Sequence, residues 1–252
     1  TEKPAMYDAT AVRHATAAGM VCLGKTNLTE LAYSGLRMKA HYGTPHHTPG
    51  QGEPRVPGGS SSGSAVAVAK GIVPAAIGTD TAGSLRVPAA FNGLASYRPS
   101  QARHSRQGVT PLAHSLDTIG VIAQSLEDCL AIDDVMRGEE ATTRERADPE
   151  RTVIVLDTAY LDDERIEEGV RQNLERSAEQ LINAGFHLIR RKLASVSDTL
   201  HLIQHHGWLG AAEAYTEYRE LLESEAAEAM DPRVRQRLIN AQKMAPDSIV
   251  TL

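Results

Sequence analysis

The sequence predicts an α/β fold in which a mixed central sheet is covered by helices on both faces. Short apolar runs alternate with small-residue helical stretches in the first part of the chain. Farther on, a strand, helix, strand succession at 153–189 forms a βαβ unit, which implies parallel pairing. The apolar residues are dominated by Ala, Leu, Val and Ile, and only 4% of the chain is aromatic. The expectation is one domain over 1–252, cut at both ends: the chain opens TEKPAMYDAT and closes APDSIVTL inside a helix start.

Thr10–Ala18 suits a helix, with Gly19 placed to end it. Met20–Leu23 then reads as a buried strand. Asn27 and Glu30 fit a capping box at a helix start. Residues 42–59 are rich in Pro and Gly and read as loop. Ser64–Lys70 is a short helix, and Ile72–Ile77 a buried strand made irregular by Pro74. Residues 88–91 start a helix with Pro in its first turn. Ser125–Met136 is amphipathic, with Leu126, Cys129, Leu130 and Val135 inward. A charged loop follows at 137–151. Val153–Leu156, Arg165–Asn183 and Phe186–Ile189 make the βαβ unit. Long helices are expected at 197–229 and 232–243.

Composition excludes several function classes. Hydrophobic residues are 41% and charged residues 23%, an ordinary globular balance, and the net charge of -6 points to neither nucleic acid nor an anionic membrane. No apolar run is long enough to span a bilayer. Cys22 and Cys129 are far apart and lack metal-ligand spacing, so they read as buried thiols of a cytoplasmic protein.

The chemistry concentrates in two stretches, GGSSSGS at 58–64 and GTDTAGSLR at 78–86. Serine hydrolysis needs an activated hydroxyl and donors for the developing oxyanion. After a buried strand, Gly78–Ser84 must turn sharply. Ala82 and Gly83 leave the backbone open to a substrate carbonyl, and successive N–H groups there can converge into an anion-binding nest. Taken alone, Ser84 also fits a bland helix cap. Ser61 matches a G-x-S-x-G elbow, but that motif needs a strand before it, and GEPRVPGG cannot be one. The elbow is rejected.

Residues 58–93 together, flanked by LGKTNLTELAYSG and SLDTIGVIAQS, closely resemble the signature of the amidase signature family. The resemblance implies the family's α/β fold and a Ser–cis-Ser–Lys triad. Ser84 matches the nucleophile, and Ser60, following Gly58 and Gly59, matches the bridging serine with a cis peptide. The backbone N–H groups of Thr81, Ala82, Gly83 and Ser84 match the oxyanion hole, while Asp80 and Arg86 hold the loop in shape. No metal or organic cofactor is implied. The family's lysine lies upstream of the GKTN motif, in a segment absent before Thr1. Lys25 is assigned to the fold, and Lys3, Lys39 and Lys70 match nothing catalytic. The chain by itself is therefore expected to hydrolyse amides slowly.

The implied activity is hydrolysis of a linear carbon–nitrogen amide bond of a small molecule through an acyl-enzyme. Alternatives are the glutaminase subunit of a tRNA-dependent amidotransferase and an inactive scaffold on the same fold; a homodimer is entertained as the assembly. Val87 stands where amidotransferase subunits usually carry Gln, which disfavours the first alternative. Ala82 replaces a common Gly and requires a negative φ. His201, His205 and His206 share a helix but lack a third metal ligand in a recognised motif. His46 and His47 could border the substrate pocket. Trp208, Tyr215 and Tyr218 make an aromatic face that reads as core, and Glu213–Glu228 reads as a solvated face.

Overall fold

The computed structural model describes residues 5–34, 43–46, 53, 55–140, 142–245 and 248. They form two compact units, one of residues 1–142 with 207–251 and one of residues 143–206.

The first unit is built on a three-stranded antiparallel sheet. Strand β1 (Ala75–Asp80) and strand β2 (Ala95–Tyr97) flank strand β3 (Thr118–Ala123), with Ala75 opposite Ala123, Asp80 opposite Thr118 and Tyr97 opposite Val121. Every residue of β3 is buried, because helices cover both faces. On one face, Ile119, Val121 and Ala123 pack with Ala11 of α1 (Thr10–Ala17) and with Cys129 and Met136 of α4 (Leu126–Arg137). On the other, Ile122 packs with Ala65 and Val68 of α2 (Ser62–Ala69), with Leu85, and with Ala89 of α3 (Arg86–Phe91). Alternate side chains of a strand point to opposite faces, and burial on both makes TIGVIA a continuous apolar run without alternation.

The second unit holds β4 (Val153–Asp157), α5 (Glu168–Asn183) and β5 (His187–Arg191), followed by α6 (Ala194–His206). The two strands are parallel, Val153 opposite His187. The expected mixture of strand directions is thus real, but it is divided between an antiparallel and a parallel sheet. Returning to the first unit, α7 (Leu209–Glu223) and α8 (Pro232–Ala241) enclose a third core of Tyr33, Leu112, Ala214, Tyr218, Val234 and Leu238.

Several expectations shift. The apolar run Met20–Leu23 is not a strand: Val21 is 80% and Leu23 70% exposed, and none of the described strands lies beside it. Cys22 is correspondingly exposed rather than buried, whereas Cys129 is buried. Asn27 caps no helix. Its carbonyl accepts from the Gly63 N–H, and only a short 3-10 turn, Glu30–Ala32, comes after it. Strand β1 begins after Pro74, which has no N–H to give a ladder. Helix α4 turns Asp133 and Asp134 inward with Cys129, while Leu126 is exposed and Leu130 and Val135 are half-buried. The two buried carboxylates are met by Arg103 and His104, and by Arg137 and Thr142. The long helix expected at 197–229 breaks at Gly207, whose φ of +90° suits glycine. Among the described residues, no helix is long and apolar enough to cross a membrane.

Candidate active site

Strand β1 delivers Asp80 to the start of a tight turn, and this carboxylate organises the turn from within. Asp80 is 0% exposed. Its Oδ1 accepts from the Gly83 N–H at 2.7 Å and from Arg86 Nη2 at 3.0 Å; its Oδ2 accepts from the Leu85 N–H at 3.1 Å and from Arg86 Nε at 3.0 Å. Burial pushes the carboxyl up, but the Arg86 hydrogen bonds and the two backbone donors outweigh it and hold it below its ordinary value. Arg86 thus closes a fork onto the carboxylate from the first turn of α3.

A second carboxylate braces the other side. Thr81 Oγ1 donates to Asp117 Oδ1 at 2.6 Å, while Asp117 Oδ2 accepts from the N–H groups of Leu112 and Ala113 at 2.8 and 3.0 Å. Asp117 lies in the SLDTIG flank, but nothing in its sequence context marks it as a clamp on the turn. Thr118 Oγ1 adds a bond to the Asp80 carbonyl at 2.9 Å.

The glycine-serine stretch closes onto this turn. The Ser61 N–H donates to the Ser84 carbonyl at 3.1 Å, so the residue after Ser60 is tied directly to Ser84. The Gly59–Ser60 peptide bond is cis. Ser60 is 2% exposed, and its carbonyl accepts from the Thr29 N–H at 3.0 Å. Ser61 is locked into β1: its hydroxyl donates to the Thr79 carbonyl at 3.2 Å and accepts from the Thr79 N–H at 3.3 Å. That makes it a structural pin and agrees with the rejection of the elbow. The approach is close enough that a Cβ at Gly78 would come within 2.5 Å of Ser61 Oγ. Gly58, at φ +74°, sits where a Cβ would meet the Pro88 backbone at 3.0 Å.

Ser84, half-buried, lines a cavity of about 480 Å³ together with Gly59, Thr81, Ala82 and Gly83. Tyr33, Trp208 and Arg237 contribute to the facing wall. Ala82 keeps a negative φ, so its methyl is accommodated. Gly83, at φ +118°, departs from expectation because its N–H is already given to Asp80. No such bond engages the N–H groups of Thr81, Ala82 and Ser84 among the described residues.

Other sequence candidates fall elsewhere. Lys25 and Lys70 do not line the cavity, and both are exposed. Lys3, Lys39 and His47 lie outside the described residues; His46 is exposed. His201 and His205 stack at 4.5 Å on exposed α6, and no three His, Cys, Asp or Glu among the described residues are grouped to hold a metal. Trp208 belongs to the cavity wall and to the core margin at once, while Tyr218 is buried and bonded to the Pro111 carbonyl. The acidic face of α7 is not wholly solvated, since Glu213 accepts from the Ser115 N–H at 2.9 Å and Glu217 pairs with His114 at 3.1 Å. Arg237 carries no motif signal, and sequence reading passes over it.

The family description Amidase matches residues 1–248. The chain belongs to the amidase signature family. Among solved relatives, a crystallised amidase superposes with a TM-score of 0.84 at 30% identity, covering 99% of this chain and 55% of that one. The allophanate hydrolase of Kluyveromyces lactis gives a TM-score of 0.83 at 28% identity, over 99% of this chain and 41% of its own. Among curated relatives, the A-type subunit of glutamyl-tRNA(Gln) amidotransferase from Cupriavidus necator is 48% identical over 132 residues, which is 52% of this chain and 26% of that protein. The 2-amino-5-chloromuconic acid deaminase of Comamonas testosteroni is 33% identical over 229 residues, 89% of this chain and 48% of its own. The chain thus spans between a quarter and about half of these amidase-family relatives.

Proposed function

We propose that the chain carries the nucleophilic half of an amide hydrolase, with Ser84 as nucleophile. The observation that carries this reading is the Ser61 N–H to Ser84 carbonyl bond. It clamps the two small-residue stretches together where Gly59 and Ser84 line one cavity. Ser84 Oγ attacks the amide carbonyl carbon and forms a C–O bond, and the carbonyl oxygen becomes an oxyanion. The N–H groups of Thr81, Ala82 and Ser84 are the donors for that charge; a preorganised donor of this kind is worth about 10²–10³ in rate. The Ser84 proton passes through Ser60 to the base, which the family resemblance makes a lysine, and on to the leaving nitrogen as the C–N bond breaks. Water then attacks the acyl-enzyme, returns a proton along the same path and releases the acid.

The test is turnover of a panel of primary amides by the full-length protein. Ser84→Ala is expected to lower kcat by at least about 1,000-fold. Unchanged turnover in that variant overturns the assignment.

A second reading, a glutaminase-type subunit that passes ammonia to a partner, is favoured by the 48% identity to the A-type amidotransferase subunit. It predicts co-purification of partner subunits and glutamine as the preferred amide. Val87, in the cavity wall where those subunits usually carry Gln, weighs for the free-standing amidase.

A further inference from the structure

The acidic face of α7 reaches the oxyanion turn through one short loop. Residues 111–117 close on themselves around Asp117, whose Oδ2 accepts from the Leu112 and Ala113 N–H groups. The Asp117 N–H in turn donates to the Ala113 carbonyl at 2.9 Å. The other carboxylate oxygen, Oδ1, accepts from Thr81 Oγ1 at 2.6 Å, and both residues are buried. A threonine side chain is stiff at χ1, so fixing Oγ1 also fixes the backbone that carries the Thr81 N–H. The loop and the turn are one hydrogen-bonded body.

Helix α7 grips that body at three places. The Tyr218 hydroxyl donates to the Pro111 carbonyl, and His114 Nε2 pairs with Glu217 at 3.1 Å. Glu213 takes both donors of Ser115, the N–H at 2.9 Å and the hydroxyl. The three grips are unequal. The Tyr218 bond is neutral, and the His114 and Glu217 side chains are 64% and 34% exposed, so solvent screens their pair. Glu213 is half-buried, and its two bonds are charge-assisted, roughly twice as strong as neutral ones. It fixes Ser115, two residues before Asp117.

The same helix forms part of the cavity wall. Ala211, in its first turn, and Trp208, just before it, line the space that holds Ser84. Thr81 and Leu112 line it from the loop side. Helix α8 contributes by a separate contact, Arg237 Nη1 donating to the Tyr33 carbonyl at 2.7 Å, which Glu213 does not share. Glu213 therefore joins the wall against which an acyl group rests to the turn that presents the oxyanion donors.

We propose that Glu213 is a positioning residue for the oxyanion turn, acting through Ser115 and the Asp117 carboxylate on Thr81. The inference rests on the amidase reading and adds to it the residue that ties the acyl wall to the donors. Glu213 touches no reacting atom, so ground-state binding hardly depends on it. What depends on it is the direction of the Thr81 N–H, which counts only once the carbonyl oxygen carries charge. Losing one oxyanion donor costs about 10²–10³ in kcat, and misdirecting one costs part of that.

The test uses full-length protein, butyramide as substrate, and the trifluoromethyl ketone with the same propyl chain. Ser84 Oγ adds to the ketone carbon, the serine proton passes to the base, and the ketone oxygen becomes an oxyanion that is not turned over. Glu213→Ala is expected to lower kcat about 10- to 100-fold, keep KM within about threefold, and weaken the ketone by the same factor as kcat. Glu213→Gln keeps an acceptor for the Ser115 N–H and gives the Ser115 hydroxyl a donor, so it should recover most of the rate. In a Thr81→Val background the turn is already released from Asp117, and Glu213→Ala should cost less than about twofold more. Thermal unfolding is followed for every variant. Ser115→Ala, which removes only the hydroxyl, gives a milder readout should Glu213→Ala not fold; its kcat should fall about threefold at constant KM. Parental kcat in folded Glu213→Ala, or in Ser115→Ala where Glu213→Ala does not fold, overturns the proposal. So do a rise in KM that matches the fall in kcat and a full effect in the Thr81→Val background, both marks of an acid that shapes only the wall. A parent protein that turns over no amide overturns the amidase reading and this inference with it.

Discussion

At Asp80 four donors converge on one buried carboxylate, and two of them belong to the turn that presents Ser84. Removing the charge while keeping the shape, as in Asp80→Asn, replaces one acceptor oxygen by an NH₂ that faces donors. Half of the Arg86 side chain is in solvent, which discounts the ion pair. The expected cost is about 2–3 kcal/mol in a urea melt, with amide turnover falling at least about 100-fold because the turn loses its shape. A variant as stable and active as the parent removes Asp80 from this role. The same residue sets an acid limit. Its carboxyl lies below the ordinary value in the fold, so its stabilisation is present above about pH 4 and is lost as the pH falls through the lower, folded value. Asp80→Asn should therefore show a shallower loss of stability below about pH 4 than the parent. Much of this arrangement is legible in GTDTAGSLR, because a glycine-bounded turn after a strand needs an internal anchor and Asp80 and Arg86 flank it. Asp117 and Arg237 are not legible in that way. Their partners are 36 and 204 residues distant along the chain, and only the fold brings them together.

Helix α4 shows which element properties sequence can carry. Ser125 caps it, accepting from the Asp128 N–H at 3.1 Å, and Gly138 ends it at φ +78°. Both ends are local chemistry, and both are readable. The inward face is not, since it depends on Arg103 and His104 arriving to neutralise Asp133. Ser125→Ala should cost about 1 kcal/mol in thermal or urea unfolding and leave kcat/KM unchanged, because the cap is remote from the cavity. Full stability in that variant refutes the cap. Strands β2 and β3 escape sequence reading for a related reason, TIGVIA being buried on both faces and so without alternation. Met20–Leu23 is the converse case, an apolar run that reports a capacity for burial without supplying a partner. Inside α4, burial pushes the Cys129 thiol up to about 11. The protonated form is thus favoured in the fold, and its stabilisation is complete below the unfolded thiol value near 8.5 and lost as the pH rises towards 11. Alkaline unfolding curves should lose about 3 kcal/mol over that interval, and Cys129→Ala should flatten the slope.

At the scale of the whole molecule, helix and strand content is written in the apolar periodicity, but the division into units at 142/143 and 206/207 is not. No composition change marks the return of the chain to the first unit, and only the φ of Gly207 breaks what reads as one helix. What composition does govern is the field around the molecule. There are 32 acidic and 26 basic residues, with a net charge of -6 at pH 7 and an isoelectric point near 5.9. Self-repulsion keeps copies apart at pH 8 and vanishes near pH 6. The surface meanwhile carries exposed apolar side chains, Val21, Leu23, Ile72 and Val170 among them. Hydrophobic attraction between such residues does not change with pH, so the charge decides whether copies meet. Light scattering of this 252-residue chain at low salt should therefore peak near pH 6 and fall by pH 8. Adding salt to about 1 M at pH 8 shortens the screening length to about 3 Å and should raise scattering again. A profile flat from pH 5 to pH 8, or one indifferent to salt, would mean that net charge does not control association of this chain.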